Sequence, residues 1–541
     1  MIPLHVHSCY SLLQSSVRID ELLNKAAQCN LSSIALTDTD AMYGLIHFAK
    51  KAIERNIKPI LGAQITQPGS QDIYALLLAK SIDGYKELCR IITARQLNDN
   101  FNLVEALNQR SENLFVISNS ILLLKQVKDF ENVYCELIDS KNSKRINREL
   151  FDFSTNLHIP VVVTNPVYFL NKDDYYLHKT LCAIRLNKNV DDLLGTDYMD
   201  SEFYFKSPAE IDSRWKNLAE AVSNTNKIAT ECNVDLKFNQ YKFPKFKTPG
   251  NLSSHSMLRE ISYSGLKKRY PTLPQSAVDR FELELSVIEE LNFSDYFLIV
   301  WDIVLEAKKR GMMTIGRGSA ANSIISFCLQ LTEVDPIKYN LYFERFLNKG
   351  RSSPPDIDID FSWKERDDII KYVFEKYDYQ NVAMISTHIT FKARSAFREV
   401  AKTFGLSDRE ISEYSKKIPW TNANNLPNVA GLFPESRELN FNIEPWKTIV
   451  NIASKLSDLP RHLSIHPGGI VITPSPITDY TAVQYAANKG LGLIITQPDM
   501  YSIEDLGLIK IDLLSQRSLG VLRDTMSMIE NNLNKISPEQ I

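Results

Sequence analysis

Three aspartates, Asp356, Asp358 and Asp360, stand at every second position in SSPPDIDIDFS, separated by Ile357 and Ile359. In an extended strand, residues i, i+2 and i+4 share a face, so this spacing turns the isoleucines toward a core and crowds the three acids together. Like charges so close repel unless water or a cation lies among them. Three readings compete: a solvated strand face, a calcium site, and a divalent-metal site for phosphoryl transfer. Calcium loops of the EF-hand type need a central glycine and a closing glutamate, and neither is here. Two metal ions about 4 Å apart, bridged by carboxylates, activate an attacking hydroxyl and steady a leaving oxygen. A DxD on a strand supplies that geometry.

Phosphoryl transfer also needs a cradle for phosphates. The segment GRGS, ending in Gly318 and Ser319, lies upstream of the acids and directly before a predicted helix. Glycine lets backbone approach an anion, and a helix N-terminus directs free N–H groups at it. An ordinary N-cap is the competing reading. A further carboxylate is available in LIKIDLL, where Asp512 follows Lys510 by two residues on the same strand face. The lysine is suited to neutralising a phosphate.

Around these groups, the first 110 residues alternate apolar strands (LSSIALTD, IKPILGAQI, IYALLLAKS) with amphipathic helices, which predicts parallel α/β units. LHIPVVVTNPVYF, residues 157–169, reads as one more buried strand, and the Pro- and Lys-rich stretch 238–254 as a linker. Long helices follow, then the GRGS loop and the acidic strand. FKARSAFREVAKTFGL is an amphipathic helix with Phe397, Val400, Ala401 and Phe404 on one side and Arg394, Arg398 and Lys402 on another. GGIVITP and LGLIKIDLLS are late strands, and a polar helix closes the chain.

At 541 residues the chain predicts several domains, and 44% hydrophobic with 23% charged residues predicts folded ones. MIPLHVHSCY has no secretory pattern, and no apolar run is long enough to span a membrane. Seven scattered cysteines without a CxxC pair favour the cytoplasm over a disulfide framework or a zinc site. The net charge of -3 does not exclude a nucleic-acid partner, because a local basic groove suffices.

Taken in order, FSDYFLIVWDIVLEAKKRG, TIGRGSAANS, DPIKYNLYFERFLN, PPDIDIDFSWKERDDIIKYV, HPGGIVITP and LGLIKIDLLS resemble the palm of the bacterial replicative C-family DNA polymerases, over residues 255–527. The N-terminus, from HVHSCYSLL through IKPILGAQI, is similar to the PHP domain that precedes that palm. The resemblance implies an α/β and α+β multidomain chain: a barrel-like PHP domain at 1–237, a linker at 238–254, a nucleotidyltransferase-type palm at 255–387 and 464–527, a helical thumb at 388–463 and a tail at 528–541. It also implies Asp356, Asp358 and Asp512 as the catalytic residues holding two Mg²⁺ ions, with Asp360 in a supporting position. Gly318, Ser319, Arg345 and Lys510 match nucleotide-binding positions. Arg394, Arg398 and Lys402 fall where the family contacts primer-template DNA, through phosphates and without reading sequence.

Two departures qualify the resemblance. His5 and His7 form the HxH that opens a PHP metal site, and imidazoles so placed can share a metal. The family's other ligands are replaced: Gln14, Thr39, Gln64, Tyr74, Pro166 and Tyr168 stand where acids or histidines are expected. Amides, hydroxyls and proline are poor substitutes for those ligands, so His5, His7 and Asp38 are expected to be remnants without metal. The second departure is length, since the chain stops at NKISPEQI, where the family's fingers would begin. The expected function is DNA-directed DNA polymerisation from dNTPs on a primer-template. A second polypeptide would supply fingers and C-terminal domains, other replisome subunits would assemble on it, and no membrane is involved. The alternatives are a catalytically weak relative acting as a DNA- or protein-binding module, and a PHP phosphoesterase or 3'–5' exonuclease.

Overall fold

The computed structural model describes residues 1–109, 112–238, 240–250, 252–348, 350, 355–486 and 492–533, the side chains of Gln71 and Leu533 apart. Residues 352–354 of the acidic stretch and 534–541 of the tail lie outside the described residues.

Strands β1 (Ser33–Leu36), β2 (Lys58–Gln67), β3 (Ser70–Ala79), β4 (Leu114–Ser118), β5 (Val133–Ile138) and β6 (Val161–Thr164) form one sheet in sequence order. Helices Ile19–Gln28, Leu45–Glu54 and Lys144–Asn156 each bury one apolar side against it. The N-terminal segment joins both edges: Ala35 and Thr37 donate backbone N–H bonds to Pro3 and Val6, and His7 donates to Val167. The sheet therefore curls toward a closed barrel.

Parallel pairing was expected throughout, but β2 and β3 are antiparallel, as are β3 and β4. The reason is local. Only Pro68 and Gly69 separate β2 from β3, with Gly69 at φ +79°, and a connection that short permits only a hairpin. The strand expected over 157–169 is likewise shortened to β6. Pro160 and Pro166 flank it, and neither offers an N–H to a ladder.

A second sheet of seven strands runs β11-β12-β9-β10-β13-β8-β7. Its members are β7 (Thr314–Arg317), β8 (Asp358–Ser362), β9 (Val382–Thr390), β10 (Pro460–Ile472), β11 (Val483–Tyr485), β12 (Ile494–Asp499) and β13 (Lys510–Gln516). Helices Ser294–Lys309 and Arg366–Tyr377 cover one face. Ile357, Ile359 and Phe361 are fully buried in that core, as the alternation predicts. Between β9 and β10 a small helical unit packs Phe397, Val400, Ile449 and Trp446 into a core that it shares with Leu177 and Leu181 of the N-terminal part of the chain.

The segment 238–254 docks onto this second unit. Lys242 bridges to Leu508, and the Phe246 N–H donates to Asp295 Oδ1 at 2.8 Å. The two units also share side-chain contacts: Met42 N–H donates to Gln497 Oε1 at 2.8 Å, and Lys50 pairs with Asp505 at 2.6 Å. Among the described residues no helix is long and apolar enough to cross a membrane.

Candidate metal centre

Strands β8 and β13 are parallel neighbours, and Asp358 is the direct register partner of Asp512. Asp356 precedes β8 by two residues and is exposed, Asp358 is half-buried, and Asp512 is buried. One carboxylate oxygen from each lies within 4.8 Å of the others. Asp358 Oδ1 and Asp512 Oδ1 are buried without a hydrogen-bond partner, although buried polar oxygens are nearly always satisfied. Three converging carboxylates, two of them with orphaned oxygens, fit a hard divalent cation, whose preferred ligands are oxygen. Burial, together with the charges of Asp356 and Asp512, pushes the Asp358 carboxyl up to about 6.

The third acid of the DIDID pattern behaves differently. Asp360 Oδ2 accepts from Arg317 Nε at 3.0 Å and Nη2 at 2.9 Å, so its charge is neutralised away from the other three. Arg317 was missed in the sequence, although it sits inside the quoted GRGS segment. On β7 it lies opposite Asp358, diagonal to Asp360.

Gly318 and Ser319 begin a 3₁₀ turn, Gly318–Asn322, which leaves β7 where β8 begins. Gly318 has φ +65°, a conformation that only glycine adopts at little cost. The turn containing Arg345 (Phe343–Arg345) packs against it, and Arg345 is exposed. Lys510 Nζ donates to Asp512 Oδ2 at 2.8 Å, and although its burial opposes the charge, the bond to Asp512 holds its pKa above the usual lysine range.

Three further residues complete the surroundings. Tyr296 is fully buried beneath the acids, and its hydroxyl accepts the Ile357 N–H at 3.2 Å, fixing backbone between Asp356 and Asp358. His466 Nδ1 accepts the Gly469 N–H at 2.6 Å and lies 3.6 Å from Asp512 Oδ1. Gly469 is the β10 register partner of Asp512, and a Cβ there would fall 2.7 Å from His466 Nδ1 and 3.3 Å from Asp512 Oδ1. The Gly468–Gly469 pair is thus required by close approach. Burial raises the carboxyl of Glu504, whose charge is felt by Lys510. The quoted segments FSDYFLIVWD and HPGGIVITP contained Tyr296 and His466, but nothing in their spacing ties either to the acids.

The basic helix, Ala393–Thr403, is not a free row of cations. Arg394 donates to the Ile418 carbonyl at 2.6 Å, and Arg398 donates to Ser415 Oγ at 3.1 Å, so both brace the helical unit. Lys402 is exposed.

In the N-terminal barrel, His5 and His7 are buried with Nε2 atoms 3.0 Å apart. His5 Nε2 is 2.9 Å from Gln64 Oε1, and Nδ1 donates to Glu136 Oε1 at 2.8 Å. Glu136, missed in the sequence, is fully buried and also accepts from Tyr74 at 2.6 Å and Thr164 at 2.6 Å. Burial opposes its charge, but His5 and the hydroxyls of Thr164 and Tyr74 hold its carboxyl below the usual range. Burial and His5 together lower the His7 imidazole. Asp38 accepts from Ser8 Oγ and Ser11 Oγ, each at 2.7 Å, while burial raises its carboxyl to about 6. Tyr168 stacks on His7 with ring centres 4.1 Å apart.

Comparison with known proteins follows the same division. A family model described as bacterial DNA polymerase III alpha NTPase domain matches residues 256–515, and one described as PHP domain matches residues 3–137. The chain is 33% identical over 570 residues to the error-prone DNA polymerase of Symbiobacterium thermophilum, covering 98% of this chain and 52% of that protein. It is 34% identical over 559 residues to DNA polymerase III subunit alpha of Bacillus subtilis, covering 98% and 50%. The Pseudomonas aeruginosa subunit of that name is 31% identical over 586 residues, covering 100% and 49%. The chain spans about half the length of the curated relatives it matches.

Proposed function

We propose, from a chain that belongs to the bacterial DNA polymerase III alpha family, that the Asp356, Asp358 and Asp512 site transfers deoxynucleotides from dNTPs to a primer 3' end. The observation that carries this reading is the register pairing of Asp358 with Asp512, with orphaned oxygens on both. Residues 255–387 and 464–527 serve as palm, 388–463 as thumb and 1–237 as the PHP-like domain.

The three carboxylates would hold two divalent ions, which we assign as Mg²⁺. Bound there, the ions supply activation of the primer hydroxyl and neutralisation of the leaving pyrophosphate. The chain's own groups do the rest. Tyr296 fixes the backbone that aims Asp356 and Asp358. Arg317 removes Asp360 from the ligand set, leaving Asp512 as the third acid. The Gly318–Ser319 turn offers backbone N–H groups to phosphate oxygens, with Arg345 beside it and Lys510 adding positive charge. Lys402 is the remaining uncommitted cation of the basic helix for a DNA phosphate, while Arg394 and Arg398 hold that helix in place.

The other half of the relatives' length bears on partners. We assign the fingers and the remaining domains to polypeptide beyond these 541 residues, with primer-template DNA and dNTP as substrates, replisome subunits as further partners and the cytoplasm as location. The barrel cluster serves as a hydrogen-bonded core without metal. Glu136 is already taken by His5, Tyr74 and Thr164, and Asp38 by Ser8 and Ser11.

Primer extension with Mg²⁺ and four dNTPs tests the reading, using the chain alone, the chain with a fingers-containing fragment of a relative, and Asp358→Ala as control. Extension that the variant abolishes is expected. Extension unchanged by Asp358→Ala would overturn it.

A further inference from the structure

A cavity of about 630 Å³ opens on the outer side of the N-terminal barrel, between helix Lys144–Asn156 and the turn that holds Trp215 and Leu218. It is separate from the barrel cluster. Glu136 points inward to His5, whereas the next residue, Leu137, lines this cavity from the opposite face of β5. The size lies in the range of pockets that enclose small ligands.

Its lining is divided. Lys144, Arg148 and Phe151 follow one another at i, i+4 and i+7, so one helix face presents cations in its early turns and an aromatic ring later. Lys141, just before the helix, adds a third cation. None of Lys141, Lys144 and Arg148 makes an ion pair with a described residue, whereas the neighbouring Arg145 pairs with Glu149 at 3.1 Å. The Ser143 side chain makes no capping bond to the first turn of this helix, whose N-terminal end favours negative charge. Across the cavity, Trp215 and Leu218 give an apolar wall.

The acid in the lining is held by partners of its own, away from Lys144 and Arg148. Asp139 accepts from Lys206 Nζ at 2.8 Å, Arg214 Nη1 at 3.1 Å and Trp215 Nε1 at 2.8 Å. Lys206 is itself fully buried. Arg214 also pairs with Glu210 at 2.6 Å and with Glu202 at 3.5 Å, and the Asp139 bond to the indole fixes the Trp215 ring as a wall.

We propose that this cavity binds a nucleoside phosphate, with phosphates on Lys141, Lys144, Arg148 and the helix N-terminus, and the base between Phe151 and Trp215. A row of cations to hold an anion and a pair of aromatic rings to hold a base select this class. Inorganic phosphate fills only the first, and an uncharged aromatic only the second. Base stacking on aromatic side chains tolerates any base, so the class is not restricted to one nucleotide.

The test is fluorescence anisotropy with N-methylanthraniloyl-ADP in EDTA, on the full chain carrying Asp358→Asn, which removes metal-dependent binding at the carboxylate site and leaves the cavity variants to identify binding here. Saturable binding is expected, weakened about tenfold or more by Lys144→Glu or Arg148→Glu and several-fold by Phe151→Ala. These surface substitutions should leave the melting temperature unchanged, and circular dichroism checks that. Unlabelled ADP should compete, while pyrophosphate and adenosine each compete at least tenfold less well. No saturable binding up to about 1 mM, binding indifferent to Arg148→Glu, or pyrophosphate equal to ADP would each overturn the proposal.

Discussion

Asp358 and Asp512 are direct register partners on parallel strands, although β9, the helical unit and β10 to β12 intervene between them in the chain. Parallel pairing puts both carboxylates at the same end of the sheet, and Asp356 joins them from the segment before β8. Conversion of Asp358 to Asn keeps the volume and removes a charge that a divalent ion requires. We expect primer extension to fall about a thousandfold, the equivalent of roughly 4 kcal/mol in the transition state, with little change in DNA binding. Single-turnover extension alongside a DNA-binding titration checks it; equal losses in both would indicate disrupted folding instead.

The pH dependence of metal binding follows from the Asp358 carboxyl, held up to about 6 by burial, Asp356 and Asp512. In the metal-free fold this group binds its proton more tightly than in the unfolded chain. Its contribution to stability is therefore present near pH 4 and is lost as pH rises through 6. A divalent ion competes with that proton, so apparent metal affinity should rise from pH 5 and level off above about 6.5. Melting curves with and without Mg²⁺ at pH 5.0 and 7.5 measure it. The metal-induced shift should be larger at pH 7.5, and an equal shift at both values would refute the assignment.

Tyr296 reaches the acids only through backbone. Its hydroxyl accepts the Ile357 N–H, and Tyr296→Phe leaves that buried donor unpaired at a cost of about 1 to 2 kcal/mol. If the bond sets the aim of Asp356 and Asp358, the variant should lose about tenfold in kcat, with KM for dNTP unchanged and metal affinity reduced. A stability loss with normal kcat would confine Tyr296 to packing.

How much of this was legible in the sequence depends on the range of each contact. Period-two alternation placed Ile357 and Ile359 in the core and the aspartates on the other face, because that rule is local to one strand. It could not separate Asp360 from its neighbours, since the separating group is Arg317 on another strand. Strand positions around Gly69 were readable, but the hairpin was not, because an eye for strand-helix alternation passes over a two-residue connection. Arg394 and Arg398 read as an open basic face; their acceptors, Ile418 and Ser415, follow the helix at distances that no periodicity encodes. Glu136 was invisible for the same reason, one acid in an apolar strand whose partners come from three other segments.

Gly469 gives a steric test of the metal centre. A methyl group there would come 2.7 Å from His466 Nδ1 and 3.3 Å from Asp512 Oδ1, so His466 or β10 must move. Gly469→Ala should lower stability by about 1 to 3 kcal/mol through overpacking and displace the Asp512 carboxylate. Gly492→Ala changes a glycine with positive φ and open space around it, and serves as a control for general glycine effects. Urea denaturation of both variants, with Mg²⁺ titration of each, would show metal affinity falling only for Gly469→Ala; intact affinity in that variant would argue that Asp512 is not held by this approach.

The barrel cluster makes the opposite prediction about metal. Glu136 is fully buried, and its two oxygens are taken by His5, Thr164 and Tyr74, while Asp38 is taken by Ser8 and Ser11. These are bonds that an ion would have to break, and Gln64 and Tyr74 could not return comparable ligands. Glu136→Gln removes the charge facing His5 and should destabilise the chain by about 3 kcal/mol, the scale for breaking a buried pair. Neither Mn²⁺ nor Zn²⁺ should raise the melting temperature of the Asp358→Asn chain, in which the other metal centre is disabled. Elemental analysis of that chain after dialysis adds a direct count. A metal-dependent rise that disappears in His7→Ala would instead make the cluster a working metal site, and extension assays with a mismatched primer would then have to look for nuclease activity there.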